Sequence, residues 1–190
     1  MEKIVSKEAK KSKERFNQWL IGLIFIFLMV LSTFGYSLSS RDEEAQGSEN
    51  IEYNGYKFTK NNDYWLMDIQ GMQFAFHYNP KEVNLIPGNV SYLNSYMGKP
   101  LYIQSENGDA SSEIYMNLNQ IAQRIQYACI NGSNCTGDYP TKDCDSNFII
   151  IKEDNITGIE QDNGCVFLQG PEEDMLKIVD EFLFKIMGIQ

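Results

Sequence analysis

The chain has a single histidine, His77, among 190 residues. A histidine general base or a Ser-His-Asp arrangement must therefore use that one residue, and a multi-histidine metal site is excluded. As the polar member of an aromatic strand, His77 reads as an exposed strand histidine. Cysteine is scarce and poorly spaced for chemistry. Cys129, Cys135, Cys144 and Cys165 form no C-x-x-C, and their spacing matches neither zinc knuckles nor zinc ribbons. Neither G-x-x-x-x-G-K-[ST] nor G-x-G-x-x-G occurs, so no phosphate loop or dinucleotide fingerprint is present. No cofactor is expected.

Basic residues are also in deficit: 16 Lys and Arg stand against 26 Asp and Glu, for a net charge of −10. The deficit begins after residue 15. Residues 1–15 hold six basic and three acidic side chains, leaving ten basic and 23 acidic in the rest. So acidic a surface is a poor match for a phosphate backbone, and nucleic-acid binding is disfavoured.

Charge is wholly absent from Trp19 to Tyr36, WLIGLIFIFLMVLSTFGY. A helix of these 18 residues would be about 27 Å long, close to the ~30 Å hydrocarbon core of a bilayer. Trp19 and Tyr36 stand at its ends, where interfacial aromatics belong. Basic residues precede the run, and Asp42, Glu43 and Glu44 follow it. The positive-inside rule then places the N-terminus in the cytoplasm and the C-terminus outside. A cleaved signal peptide is the competing reading. Against it, the apolar run exceeds the usual signal core, and Phe34 and Tyr36 are bulky near any cut. The expected organisation is a basic tail over 1–15, a membrane helix over 16–38, a polar linker over 39–50 and an outer domain over 51–190.

All four cysteines fall in that outer domain, as disulfides in an oxidising compartment require. Cys135 lies close enough to Cys129 to close a small loop. Cys144 precedes one apolar strand and Cys165 begins another; with these strands as parallel neighbours or next-neighbours, both cysteines fall at one end of the sheet. The expected pairs are Cys129–Cys135 and Cys144–Cys165. N-x-S/T sequons at Asn89, Asn131, Asn134 and Asn155 agree with an outside location.

The domain opens as a β-meander. Asn54-Gly55 is a type I′ hairpin signal between Ile51–Tyr53 and Tyr56–Phe58. Trp65, Met67 and Ile69 share one strand face. Met72, Phe74, Phe76 and Tyr78 point inward on the next strand, with Gln73, Ala75 and His77 outward. Leu101–Gln104 is a short strand. Ile114, Leu118, Ile121, Ile125 and Ala128 predict a helix from about Ser112 to Cys129, capped by Ser111 or Ser112 and stopped at Gly132. Phe148–Ile151 is apolar at every position, as in a central strand covered on both faces. Ile156–Gln161 and Cys165–Leu168 are further strands. Pro171 opens a last helix with the stripe Met175, Val179, Phe182 and Ile186, and Gly188 closes it. The expected fold is α+β: an N-terminal transmembrane helix, a β-meander, then strand-helix-strands-helix forming a mixed sheet with helices packed on it.

YNGYKF, KPLYIQSEN, RIQYAC, CDSNFIIIKE, CVFLQG and DEFLFKIMGI together cover most of residues 51–190. In these segments the chain resembles a group of uncharacterised, single-pass membrane proteins of archaea with a small cysteine-containing outer domain. That resemblance implies one anchor beside one domain, and implies no activity or site residue.

Asp143, Asp145 and Asn147 have the D-x-D-x-N spacing that opens a calcium loop. Phe148 stands where an EF-hand needs glycine, so only a looser calcium site over 138–147 remains. A pilin-like role lacks its usual processing glycine. A hydrolase using paired carboxylates needs only spatial proximity, which sequence does not display. Phe184 falls on the polar side of the last helix, beside Lys177, Asp180 and Glu181. It reads either as a partner contact or as a core residue under a second packing layer. The expected function is that of a non-enzymatic, membrane-anchored outer module. Its partners are the lipid bilayer, through the helix, and a protein or surface component. The alternatives are a tethered carboxylate hydrolase and a calcium-stabilised or pilin-like surface protein.

Overall fold

The computed structural model describes residues 19–30, 49–133, 135 and 137–190. The chain divides between Ser48 and Glu49 into two units. In the first, residues 19–30 form helix α1, and each of them is exposed. Among the described residues no helix is long and apolar enough to cross a membrane. The flanks of the expected anchor, 16–18 and 31–38, lie outside the described residues. So do Tyr36, the basic tail and residues 39–48 of the linker.

The second unit begins with an antiparallel meander, β1 (Asn50–Tyr53), β2 (Tyr56–Asn61), β3 (Tyr64–Ile69) and β4 (Met72–Phe76), in that spatial order. Asn54 and Gly55 both have positive φ, 47° and 83°, as a type I′ turn requires. Gln70 and Gly71 repeat the geometry at 53° and 82° between β3 and β4. Alternation puts Phe58, Trp65, Met67, Phe74 and Phe76 on one buried face.

A βαβ unit follows: β5 (Pro100–Ser105), α2 (Gly108–Leu118) and β6 (Arg124–Tyr127), with β5 and β6 parallel. A small parallel ribbon, β7 (Cys129–Ile130) with β8 (Thr141–Lys142), leads to β9 (Asn147–Glu153), β10 (Gly158–Asp162) and β11 (Cys165–Gly170). The second sheet runs β10-β11-β9-β5-β6 and is mixed: only β10 with β11 is antiparallel. The apolar run Phe148–Ile151 lies in its middle strand, β9, and is buried throughout. Helix α3 (Met175–Ile186) closes the fold after a 3-10 turn at Glu172–Asp174.

Helices α2 and α3 lie side by side and contact both sheets. The fold is thus α+β with a mixed sheet, and the meander stands as a separate sheet across the helix pair. One continuous core joins the meander face, the helices and the inner face of the mixed sheet. A smaller cluster of Tyr102, Ala128, Phe148, Ile150 and Cys165 occupies the outer face of the mixed sheet.

The predicted helix over Ser112–Cys129 is shorter and earlier than the apolar spacing indicates. Asn107, in extended backbone, caps it by accepting from the Ala110 N–H at 3.0 Å, while Ser111 and Ser112 hydroxyls bond back to the Gly108 carbonyl. The helix ends at Leu118, and Ile125 and Ala128 belong to the strand side. Four-residue steps bring Ile125 into line with the helical stripe by coincidence, and pairing with β5 overrides it.

Candidate functional site

The disulfides join Cys129 to Cys135 and Cys144 to Cys165, the pairs expected from the sequence. The second pair follows from register: β9 and β11 are parallel neighbours with Phe148 opposite Cys165, so Cys144 arrives at the same sheet end. Each bond constrains the unfolded chain, contributing about 2–4 kcal/mol. Cys129–Cys135 ties the start of the loop after β7 back to that strand, and Cys144–Cys165 ties its end to the start of β11, on the outer face of the mixed sheet.

That loop and face bound a cleft of about 630 Å³. Its floor comes from the middle and C-terminal parts of three parallel strands: Gln104 on β5, Ile150 and Lys152 on β9, Phe167 and Gln169 on β11. The carboxyl ends of parallel strands are the usual place for a ligand in open sheets. Its walls are Tyr127, Ile130, Ser133, Cys135 and Tyr139. The Tyr127 and Tyr139 rings stand 6.2 Å apart, and both are about half exposed, at 45% and 50%. Gln104 Oε1 accepts from the Ile130 N–H at 2.7 Å, which fixes the wall to the floor. Such a mixture of aromatic faces and side-chain amides binds ring-shaped polar groups.

A second cleft, of about 410 Å³, lies where the meander meets α2. Tyr64, His77, Ser112, Glu113 and Met116 line it. His77 is part-exposed, but its Nδ1 lies 2.6 Å from Oε2 of Glu113, whose side chain is 1% exposed. The Tyr64 ring packs against the imidazole, with centroids 4.6 Å apart. Glu113 Oε1 accepts from the His77 N–H at 3.1 Å. Asp180 on α3 continues the row, accepting from the Tyr78 N–H at 2.8 Å. Burial raises the Asp180 carboxyl well above the usual range, and the charge of Glu113 adds to the shift. Burial also raises Glu181, against opposing contacts from the Ile86 N–H and Lys185. These acids lie at the interface of helices and meander, where they bond backbone N–H groups of residues 77, 78 and 86.

No family model, no curated protein and no solved structure matches the chain.

Phe184 has no free face. It is 0% exposed, with the Phe58 and Phe76 rings 5.9 and 4.7 Å from its own. Of its two expected roles the structure gives it that of a core residue, because the meander supplies the second layer over α3. Trp19 lies in α1 and is 67% exposed. Asp143 accepts from the Asp145 N–H at 3.3 Å. Among the described residues no cluster of three His, Cys, Asp or Glu side chains is placed to hold a metal ion. Asn89, Asn131 and Asn155 of the sequons are exposed, and Asn134 lies outside the described residues.

Sequence reasoning missed the tyrosine cleft. Tyr127 was hidden inside the over-long helix, and Tyr139 sits in a loop with no periodicity. It also missed Glu113 as a partner of His77, because a glutamate near a helix start is already explained by the dipole.

Proposed function

We propose that the chain is a single-pass membrane protein with a cytoplasmic N-terminus. Its acidic outer domain binds another envelope or surface component through the tyrosine-lined cleft. Residues 1–15 form the tail, 16–38 the anchor, 39–50 the linker and 51–190 the domain. The uncharged run and its basic flank support the anchor. Two disulfides in the domain support an oxidising location.

The observation that carries the binding role is the separation of the cleft from the perturbed acids. An enzyme of the carboxylate class concentrates acids of shifted pKa in its pocket. Here Asp180 and Glu181, the acids raised by burial, bond the backbone N–H groups of Tyr78 and Ile86 away from the larger cleft, which is lined by aromatic rings and amides with one carboxylate, Glu106, and one cation, Lys152. Affinity capture of the detergent-solubilised full chain, beside a Tyr127→Ala/Tyr139→Ala variant, tests this. A component retained by the native chain and lost by the variant supports the reading. Identical recovery from both refutes it.

One observation favours a tethered hydrolase as a second reading. A buried carboxylate holding Nδ1 of a part-exposed histidine is how many enzymes orient a general base. Hydrolysis of an ester or surface polymer that His77→Gln abolishes, with the fold intact, would establish it.

A further inference from the structure

We infer that Arg124, Lys142 and Tyr102 form an oxyanion site beside the cleft, which takes the carboxylate of an acidic saccharide bound there. The inference rests on the cleft being a ligand site and adds the class and charge of the ligand.

Arg124 is the only arginine between residues 42 and 190. In so acidic a domain its guanidinium has many carboxylates available. It instead donates from Nη2 to the Tyr102 hydroxyl at 3.1 Å. Lys142 Nζ stands 4.9 Å from the centre of the same ring. Among the described residues, the ion pairs involve neither cation. Two cations thus converge on one neutral phenol.

The phenol registers the resulting field. Its pKa is lowered, first by the Arg124 hydrogen bond and then, against the opposing effect of burial, by Lys142. A field that favours phenolate favours any oxyanion placed there. A guanidinium carries five N–H donors in a rigid fork, so one bond to Tyr102 leaves donors for a carboxylate.

The register puts this site next to the cleft. Tyr102 and Gln104 lie two residues apart on β5 and so share the outer face, about 7 Å from each other. Ile130 pairs with Lys142 in the small ribbon, and Ile130 is itself a cleft wall. The two tyrosine rings and the amides of Gln104 and Gln169 suit sugar rings and hydroxyls. Two cations without a basic stripe suit an occasional charge, because a polyanion would be repelled by the domain as a whole.

The test is calorimetric titration of the full chain in detergent micelles with a galactotriose carrying a single galacturonate residue, neutral galactotriose and sodium sulfate. The single-uronate trimer is expected to bind about tenfold more tightly than galactotriose, the effect of one charge-assisted contact. Salt is expected to weaken that preference, and Arg124→Gln or Lys142→Gln to remove it. Equal affinity for the two trimers, or a preference unchanged in both variants, overturns the inference and leaves the cleft a saccharide site. Binding of sulfate alone overturns it too, since the anion is then a free ligand. Binding of no probe overturns it, and the capture experiment then decides separately whether the cleft binds anything.

Discussion

Asn117 of α2 makes both hydrogen bonds that a neighbouring strand would make to Ala75. Its Oδ1 accepts from the Ala75 N–H at 2.9 Å, and its Nδ2 donates to the Ala75 carbonyl at 2.8 Å. Ala75 lies on β4, an edge strand of the meander. Glu113 and Gln120 extend the pattern to the His77 N–H and the Gln73 carbonyl. Glu113 and Asn117 lie one turn apart on α2 and Gln120 just past its end, so this edge of the helix and its exit serve as a substitute strand. An edge that invites pairing with other chains is thereby closed.

Asn117→Leu is therefore expected to destabilise the domain by about 2 kcal/mol, because a buried donor and acceptor lose their partner. Urea unfolding followed by tryptophan fluorescence measures this. A change below about 0.5 kcal/mol would show that water replaces the lost bonds.

Asp180 gives a pH prediction. Its carboxyl titrates higher in the folded chain than in the unfolded one. The folded state then holds more protons in the window above the ordinary carboxylate range. Stability from this group is complete below that range and declines as pH rises through the raised pKa. Asp180→Asn keeps the shape without the charge. It is expected to flatten the decline in melting temperature between mildly acidic and alkaline pH. Parallel profiles for the two proteins would contradict the assignment.

The two disulfides should differ in weight. Cys144–Cys165 spans a sequence separation of 21 and Cys129–Cys135 one of 6. Replacing the first pair by alanine is expected to cost about 3 kcal/mol, and more than replacing the second, since the longer loop loses more unfolded-state constraint. Denaturant midpoints of the two double variants give the order. Peptide mapping without reductant checks the pairing itself, and a peptide linking Cys129 to Cys165 would contradict it.

Phe184→Ala removes a ring enclosed by two others and is expected to cost about 3–5 kcal/mol. A contact residue would behave otherwise, losing partner binding at unchanged stability. Thermal unfolding beside the capture assay separates the two.

Much of the architecture was legible because it was written in local chemistry. Asn54-Gly55 announced its hairpin, the aromatic alternation announced the meander, and Phe148–Ile151 announced a central strand. Cys144–Cys165 was legible because parallel neighbours bring their starting ends together, and Cys129–Cys135 because a separation of 6 closes a small loop. The boundaries of α2 were not, since Ile125 happens to fall on a helical step from Ile121. The depth of Phe184 was not either, because a second apolar face on a helix looks like surface until the layer covering it is known. The clefts were beyond reach for a related reason. Tyr127 and Tyr139 belong to different segments, and only the folded chain brings their rings within 6.2 Å of each other, tilted by 44°.

The enclosure of Phe184 by Phe58 and Phe76 also sets an order of events during synthesis. The meander emerges from the ribosome well before α3, so its aromatic face stays uncovered while the intervening strands are made. Contacts between such distant segments form slowly, and the exposed rings meanwhile invite aggregation. A holding chaperone acting on the nascent meander should therefore raise the yield of folded protein, whereas one acting on the finished chain should not.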